Sequence, residues 1–201
     1  SLELAGQNAL SYDSSIECDD MNKEINHILA GIDMASPEIL LAKIIGADCV
    51  IGHHPAGGIA VFQVHKDIKY QIAKFRSLGM LSKEIISKIE GMEKYRENEY
   101  YGFNYYRTTS ISEILGIPFI NIHTTVDIIT ENYINDLVNR KLNAHDTIGS
   151  LINLLHGIKE IESSFEKPLI LKGNSGNKIG LAIPVFTCSF NEELSNMYYK
   201  A

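Results

Sequence analysis

The chain has 201 residues, 45% of them hydrophobic and 21% charged, which suits a soluble fold of one large domain or two small ones. A formal charge of −7 leaves no broad basic footprint and argues against tight, sequence-independent nucleic-acid binding. Three scattered cysteines (Cys18, Cys49, Cys188) share no metal-ligand spacing, and no signal peptide or apolar run of membrane length is visible, so the expected compartment is the cytoplasm.

Ser1–Lys23 is polar and weakly patterned; it reads as a loop or irregular arm carrying the acidic residues Glu17, Asp19 and Asp20. Ile25–Met34 is apolar and suggests a first core strand, with Asp33 near its end. Ser36-Pro37-Glu38 then opens a helix through Ile45: serine as N-cap, proline at the first helical position, glutamate at the positive end of the dipole. Gly46 stops it. Ala47–Pro55 (ADCVIGHHP) follows as a buried strand with His53 and His54 at its carboxyl end. Strand, helix and strand make a βαβ unit, and in open α/β sheets ligands collect at such strand ends. Neighbouring strand residues face opposite ways, so both imidazoles can meet one centre only where the strand has ended, as Pro55 and Gly57-Gly58 require. The plain alternative is a pair of loop histidines, one buried and one wet.

Helical spacing recurs over Asp67–Leu78 and Lys83–Tyr100, where Ile85, Ile86, Ile89 and Met92 form one stripe. An aromatic patch from Tyr95 to Tyr106 closes the segment before Arg107, fit for packing, an oligomer contact or stacking on a base. His65 reads as a surface residue. Ile117–Ile122 is the next strand, placing His123 at another carboxyl end, and Asp127 opens the helix Ile128–Leu142. Taken singly, Asp127 is an N-cap and His123 a hydrogen-bonded structural residue. Thr147–Glu162 reads as a further amphipathic helix; His156 and Glu160 lie one turn apart on it, a spacing read as coincidental. Pro168–Leu171 and Ile179–Thr187 suggest a hairpin around the turn Gly173–Gly176, and Phe190–Ala201 a last helix with Asn191 as N-cap.

The strand, Asp33, the Ser-Pro-Glu helix and GADCVIGHHP together resemble the opening of the Nif-three-like family, whose bacterial members are labelled type-two GTP cyclohydrolase I homologues. A strand ending in His-Thr-x-x-Asp is that family's second signature, matched by FINIHTTVD at Phe119–Asp127. The resemblance implies a single Nif-three-like α/β domain over 1–201, a mixed sheet flanked by helices, to which this chain adds a helical insertion at 66–112 between the two metal-site strands. It implies two divalent metal ions per subunit, with His53, His54 and Asp127 as metal ligands. His123 would line the site as the catalytic residue, orienting a ligand or accepting a proton. Imidazole with carboxylate suits Zn, Fe, Mn or Ni. Metal would lower the pKa of a bound water, giving a metal-dependent hydrolase acting on a nucleotide-like small molecule such as GTP. Assembly into a homo-oligomer, a hexameric ring, is implied as well. The chain departs from the family in the length of the 66–112 excursion. It also lacks the closing segment that carries a His-x-x-x-Glu pair. Two alternatives stand beside the hydrolase: a non-catalytic metal-binding regulatory protein acting as an oligomer, and a metal-free interaction module with structural histidines.

Overall fold

The computed structural model describes residues 11–19, 23–186 and 192–200. They divide into two compact units, one running to Ile128 and taking in the last helix, the other Ile129–Phe186.

The first unit is built on a four-stranded mixed sheet in the order β1-β4-β3-β2: β1 (Ser15–Cys18), β2 (Ile28–Gly31), β3 (Cys49–Gly52) and β4 (Phe119–Asn121). β2, β3 and β4 run parallel, while β1 pairs antiparallel with β4, Ser15 opposite Asn121. β3 is the central apolar strand expected, with Cys49 and Val50 buried. The segment read as an irregular arm therefore contains a strand. It is short and mostly polar, and pairs across more than a hundred residues, so no local signal announces it. The strand foreseen over Ile25–Met34 shrinks to an edge strand of four residues with Ile28 exposed.

Helix α1 (Ser36–Ile45) crosses between β2 and β3. Its N-cap is Ala35 rather than Ser36, and Glu38 reaches back to accept from the Ala35 N–H at 2.8 Å, satisfying the N-cap residue's own donor. Gly46 ends the helix in the left-handed region at φ 75°, where a side chain is disfavoured. Met34, Ile39, Ala42, Val50, Ile117 and Phe119 pack into the core between α1, the sheet and a later helix.

After β3 come α2 (Gly58–Gln63), a 3-10 stretch Val64–Lys69, α3 (Tyr70–Ser77), α4 (Lys83–Tyr100) and α5 (Tyr106–Leu115). α4 has the bounds read from its periodicity, and Ile89 and Met92 of its stripe are buried. They join Ile68, Phe75, Leu194 and Met197 in a second core beneath α9 (Glu192–Lys200). The last helix thus exists, although its expected cap, Asn191, lies outside the described residues, as does Cys188. His65 is buried here, not on the surface.

α6 (Thr124–Lys141) begins in the first unit and carries on into the second. The second unit adds α7 (Ile148–His156) and α8 (Lys159–Ser163). The single helix expected over Thr147–Glu162 breaks at Gly157, so His156 and Glu160 sit on different helices. Thr147 caps α7, accepting from Ser150 N–H at 3.1 Å, and Ile148 and Gly149 donate to the carbonyls of Asn177 and Ser175. The expected hairpin is not formed: the described residues of Pro168–Leu171 and Ile179–Thr187 carry no strand, and Leu169, Leu171 and Leu181 stand exposed. A single bridge, Thr147 with Lys178, is all the pairing this stretch makes among the described residues. Apolar alternation without a partner edge does not make a sheet. No helix among the described residues is long and apolar enough to cross a membrane.

Candidate metal centre

β3 and β4 are parallel neighbours, so their carboxyl ends lie side by side, and the residues after each end meet. His53 and His54 continue the β2 edge for two more hydrogen bonds, their N–H groups donating to Gly31 and Ile32 carbonyls at 3.0 and 2.9 Å. The backbone then bends, and both rings turn to the same side. The ring centroids of His53, His54 and His123 form a triangle with sides of 4.8, 5.1 and 5.6 Å. One nitrogen from each ring lies within 4.8 Å of the others. Asp127 completes the group: its Oδ1 is 3.3 Å from His53 Nε2 and its Oδ2 is 3.8 Å from His123 Nε2. α6 starts at Thr124, so Asp127 lies in its first turn and faces the imidazoles rather than capping.

What holds the rings is as informative as where they point. His53 Nδ1 lies 3.1 Å from the Ile122 carbonyl, which can only accept, so Nδ1 is the donor there and Nε2 is the nitrogen turned to Asp127. His54 Nδ1 meets the exposed Asp33 carboxylate at 2.7 Å, and His123 Nδ1 meets the buried Asp13 carboxylate at 2.6 Å. Acceptors on the Nδ1 side fix the tautomer and orientation of metal-binding histidines in this manner. Two donors of one tetrahedral ion, each at about 2.1 Å, stand about 3.4 Å apart. The Asp127 distances fall near that spacing, so the residues present fit a divalent cation.

Asp13 is the functional residue the sequence concealed. Antiparallel pairing places it opposite His123, two residues beyond the Ser15–Asn121 pair. It is fully buried and accepts from Ser11 Oγ (2.7 Å), Thr124 N (3.1 Å) and Thr124 Oγ1 (2.7 Å) besides His123. Burial pushes its pKa upward, but the hydrogen bonds and charge of His123, with those of Ser11 and Thr124, outweigh this and hold it down to about 2. His123 answers in kind: burial lowers its pKa, and Asp13 and Asp127 more than reverse this, with buried Arg96 of α4 opposing them. Behind Asp13 stands Asp67, whose pKa is driven up to about 8, first by burial and then by the Asp13 charge.

Glu17, another residue given no role from sequence, anchors the loop that follows the histidines. Its carboxylate accepts from Ile59 N (3.1 Å) and Ala60 N (3.0 Å) at the start of α2, and from Ser15 Oγ. Gly58 has φ 63°, and a Cβ there would fall on the Glu17 carboxylate, so the site tolerates only glycine without rearrangement. Asn121, fully buried on β4, braces the same loop by accepting from Ala56 N at 3.2 Å and donating to the Gly57 carbonyl at 3.4 Å.

Fold and site together define an α/β protein with a histidine-rich group, able to hold a metal ion, at the carboxyl ends of two parallel strands. No protein-family model matches the sequence, and no curated protein matches it either. Among solved structures, the crystal structure of a NIF3 superfamily protein from Sphaerobacter thermophilus is similar, at 24% identity and TM-score 0.78, over 88% of this chain and 65% of that one. The chain thus spans less than two thirds of that protein's length. The fold is that of the NIF3 superfamily, as the two strand-end motifs led one to expect.

Proposed function

We propose that the chain is a metal-dependent hydrolase-like protein whose cation is held by His53, His54, His123 and Asp127. The observation that carries this reading is that each imidazole has its Nδ1 engaged by an acceptor, one nitrogen from each ring lies within 4.8 Å of the others, and His53 Nε2 and His123 Nε2 face the Asp127 carboxylate. Three neutral imidazoles and one carboxylate are a donor set for Zn, Fe, Mn or Ni rather than for Mg or Ca. A cation bound there supplies Lewis acidity at neutral pH. This reading makes His123 a donor, where the resemblance implied a residue that orients a ligand or accepts a proton.

The protein's own part is to hold that geometry. Asp13 keeps His123 in one tautomer and stabilises any positive charge it takes on; Asp33 does the same for His54 from the solvent side. Pro55, Val61 and Val64 line a cavity of about 300 Å³ together with His54 and His123. Esters and phosphoesters are the substrates such a centre serves. Elemental analysis of untagged protein, wild type against His53→Ala/His54→Ala, tests the reading. Stoichiometric metal in the wild type and its loss in the variant are expected; wild-type protein without metal would refute it. Metal without turnover of any ester or phosphoester would leave the non-catalytic metal-binding protein.

A further inference from the structure

The small cavity at the histidines does not end there. Pro55, Val61 and Tyr100 also line a second cavity of about 710 Å³, so the two share a wall. That size is typical of small-molecule sites. Its far side is made by the corner between α4 and α5, part of the aromatic patch that the sequence left open to packing, an oligomer contact or stacking on a base. Phe103 stands with its ring centroid 5.1 Å from that of Tyr100, tilted by 36°, giving an aromatic wall.

The corner is fastened in place. Tyr105 Oη and Phe103 N both donate to the Tyr100 carbonyl, and the Tyr105 carbonyl accepts from Gly58 N at 2.7 Å, tying the corner to α2. Phe62 packs edge-on against Tyr105 at 5.3 Å. The wall therefore belongs to the same unit as the histidines and holds its distance from them.

Three charged residues line the larger cavity. Asp33 is committed to His54 and Glu38 to the Ala35 N–H, whereas the Arg107 guanidinium has no carboxylate partner among the described residues. Buried Arg96, one turn before Tyr100 on α4, adds positive potential toward His123. A ring to lie on the aromatic wall and an anionic group to meet Arg107 are what this lining leaves unanswered.

We propose that the Tyr100–Arg107 corner is the recognition subsite of the metal centre and that its ligand is an aromatic anion, a ring bearing a phosphate or carboxylate. This rests on the metal-site reading for its purpose, not for its geometry. Phenyl phosphate, methyl phosphate, benzoate and acetate are the probes, titrated calorimetrically into protein as purified and after chelation.

The aryl ligand of one pair or both should bind about tenfold tighter than its methyl counterpart, phosphate or carboxylate whichever it proves to be. Tyr100→Leu should bring that ratio near one, and Tyr100→Phe should keep it. Arg107→Gln should weaken the aryl anion about tenfold and leave benzyl alcohol unaffected. Metal content should be unchanged in all three variants. Ratios near one in the wild type, or ratios and affinities unmoved by Tyr100→Leu and Arg107→Gln, would overturn the subsite. Wild-type protein lacking metal but retaining the aryl preference would overturn the metal reading and leave the subsite standing.

Discussion

Two stretches meet at the candidate metal centre from opposite ends of sequence legibility. The carboxyl ends of β3 and β4 carry the donors, each behind an apolar run and each in a recognisable motif. The segment Asp13–Cys18 carries one acceptor and one anchor: Asp13 against His123, Glu17 against the first turn of α2. One stretch presents the chemistry; the other orients it. The difference teaches that donor residues declare themselves by composition and position, whereas the groups that aim them are ordinary polar residues known only once strands pair.

That division can be broken, and the largest effect should come from its buried side. Asp13→Ala leaves His123 and Thr124 donors without their acceptor in the interior. Unfolding titrations should show a loss of about 3 kcal/mol, the cost of breaking a buried charged pair. Metal affinity, read by competition with a chelator, should fall about 10- to 100-fold.

Gly58→Ala comes next, since it adds left-handed strain of about 1–2 kcal/mol to a collision with Glu17. Glu17→Ala combined with it should cost less than the sum of the two single changes, measured as a double-mutant cycle. Full additivity there would mean that the two residues do not share the loop.

Asp33→Ala is the informative contrast to Asp13. The carboxylate is 84% exposed, so thermal stability should stay within about 0.5 kcal/mol, while metal affinity drops toward the lower end of the range, about tenfold. Equal losses of stability from the two aspartates would erase the distinction drawn between them.

A different kind of test is one of pH. Asp67 holds a proton up to about 8 in the folded chain but releases it near its ordinary 3.8 when unfolded. The folded state therefore binds more protons across that window, and this group makes stability fall as pH rises from about 4 to 8. Asp67→Asn should raise the melting temperature at pH 8.5 more than at pH 5.

Much of the frame was visible beforehand. Lys83–Tyr100 was legible because its apolar residues keep helical spacing, and β3 and β4 because each is a short β-rich run stopped by polar residues. The family resemblance supplied what spacing could not, namely that His53, His54, His123 and Asp127 belong together. Asp13 stayed hidden because its partner lies 110 residues away and it sits in a turn ahead of a strand of only four residues. The hairpin foreseen after Pro168 failed for the converse reason: local alternation was present and a pairing edge was not.

The locked Nδ1 atoms carry one more consequence. A pocket whose imidazoles are already held by carbonyl and carboxylate loses little rotational freedom when an ion arrives, so capture is expected to be quick and its selectivity to be set by shape. Ions whose favoured coordination departs from that rigid outline would be refused on strain alone, without any change of donor.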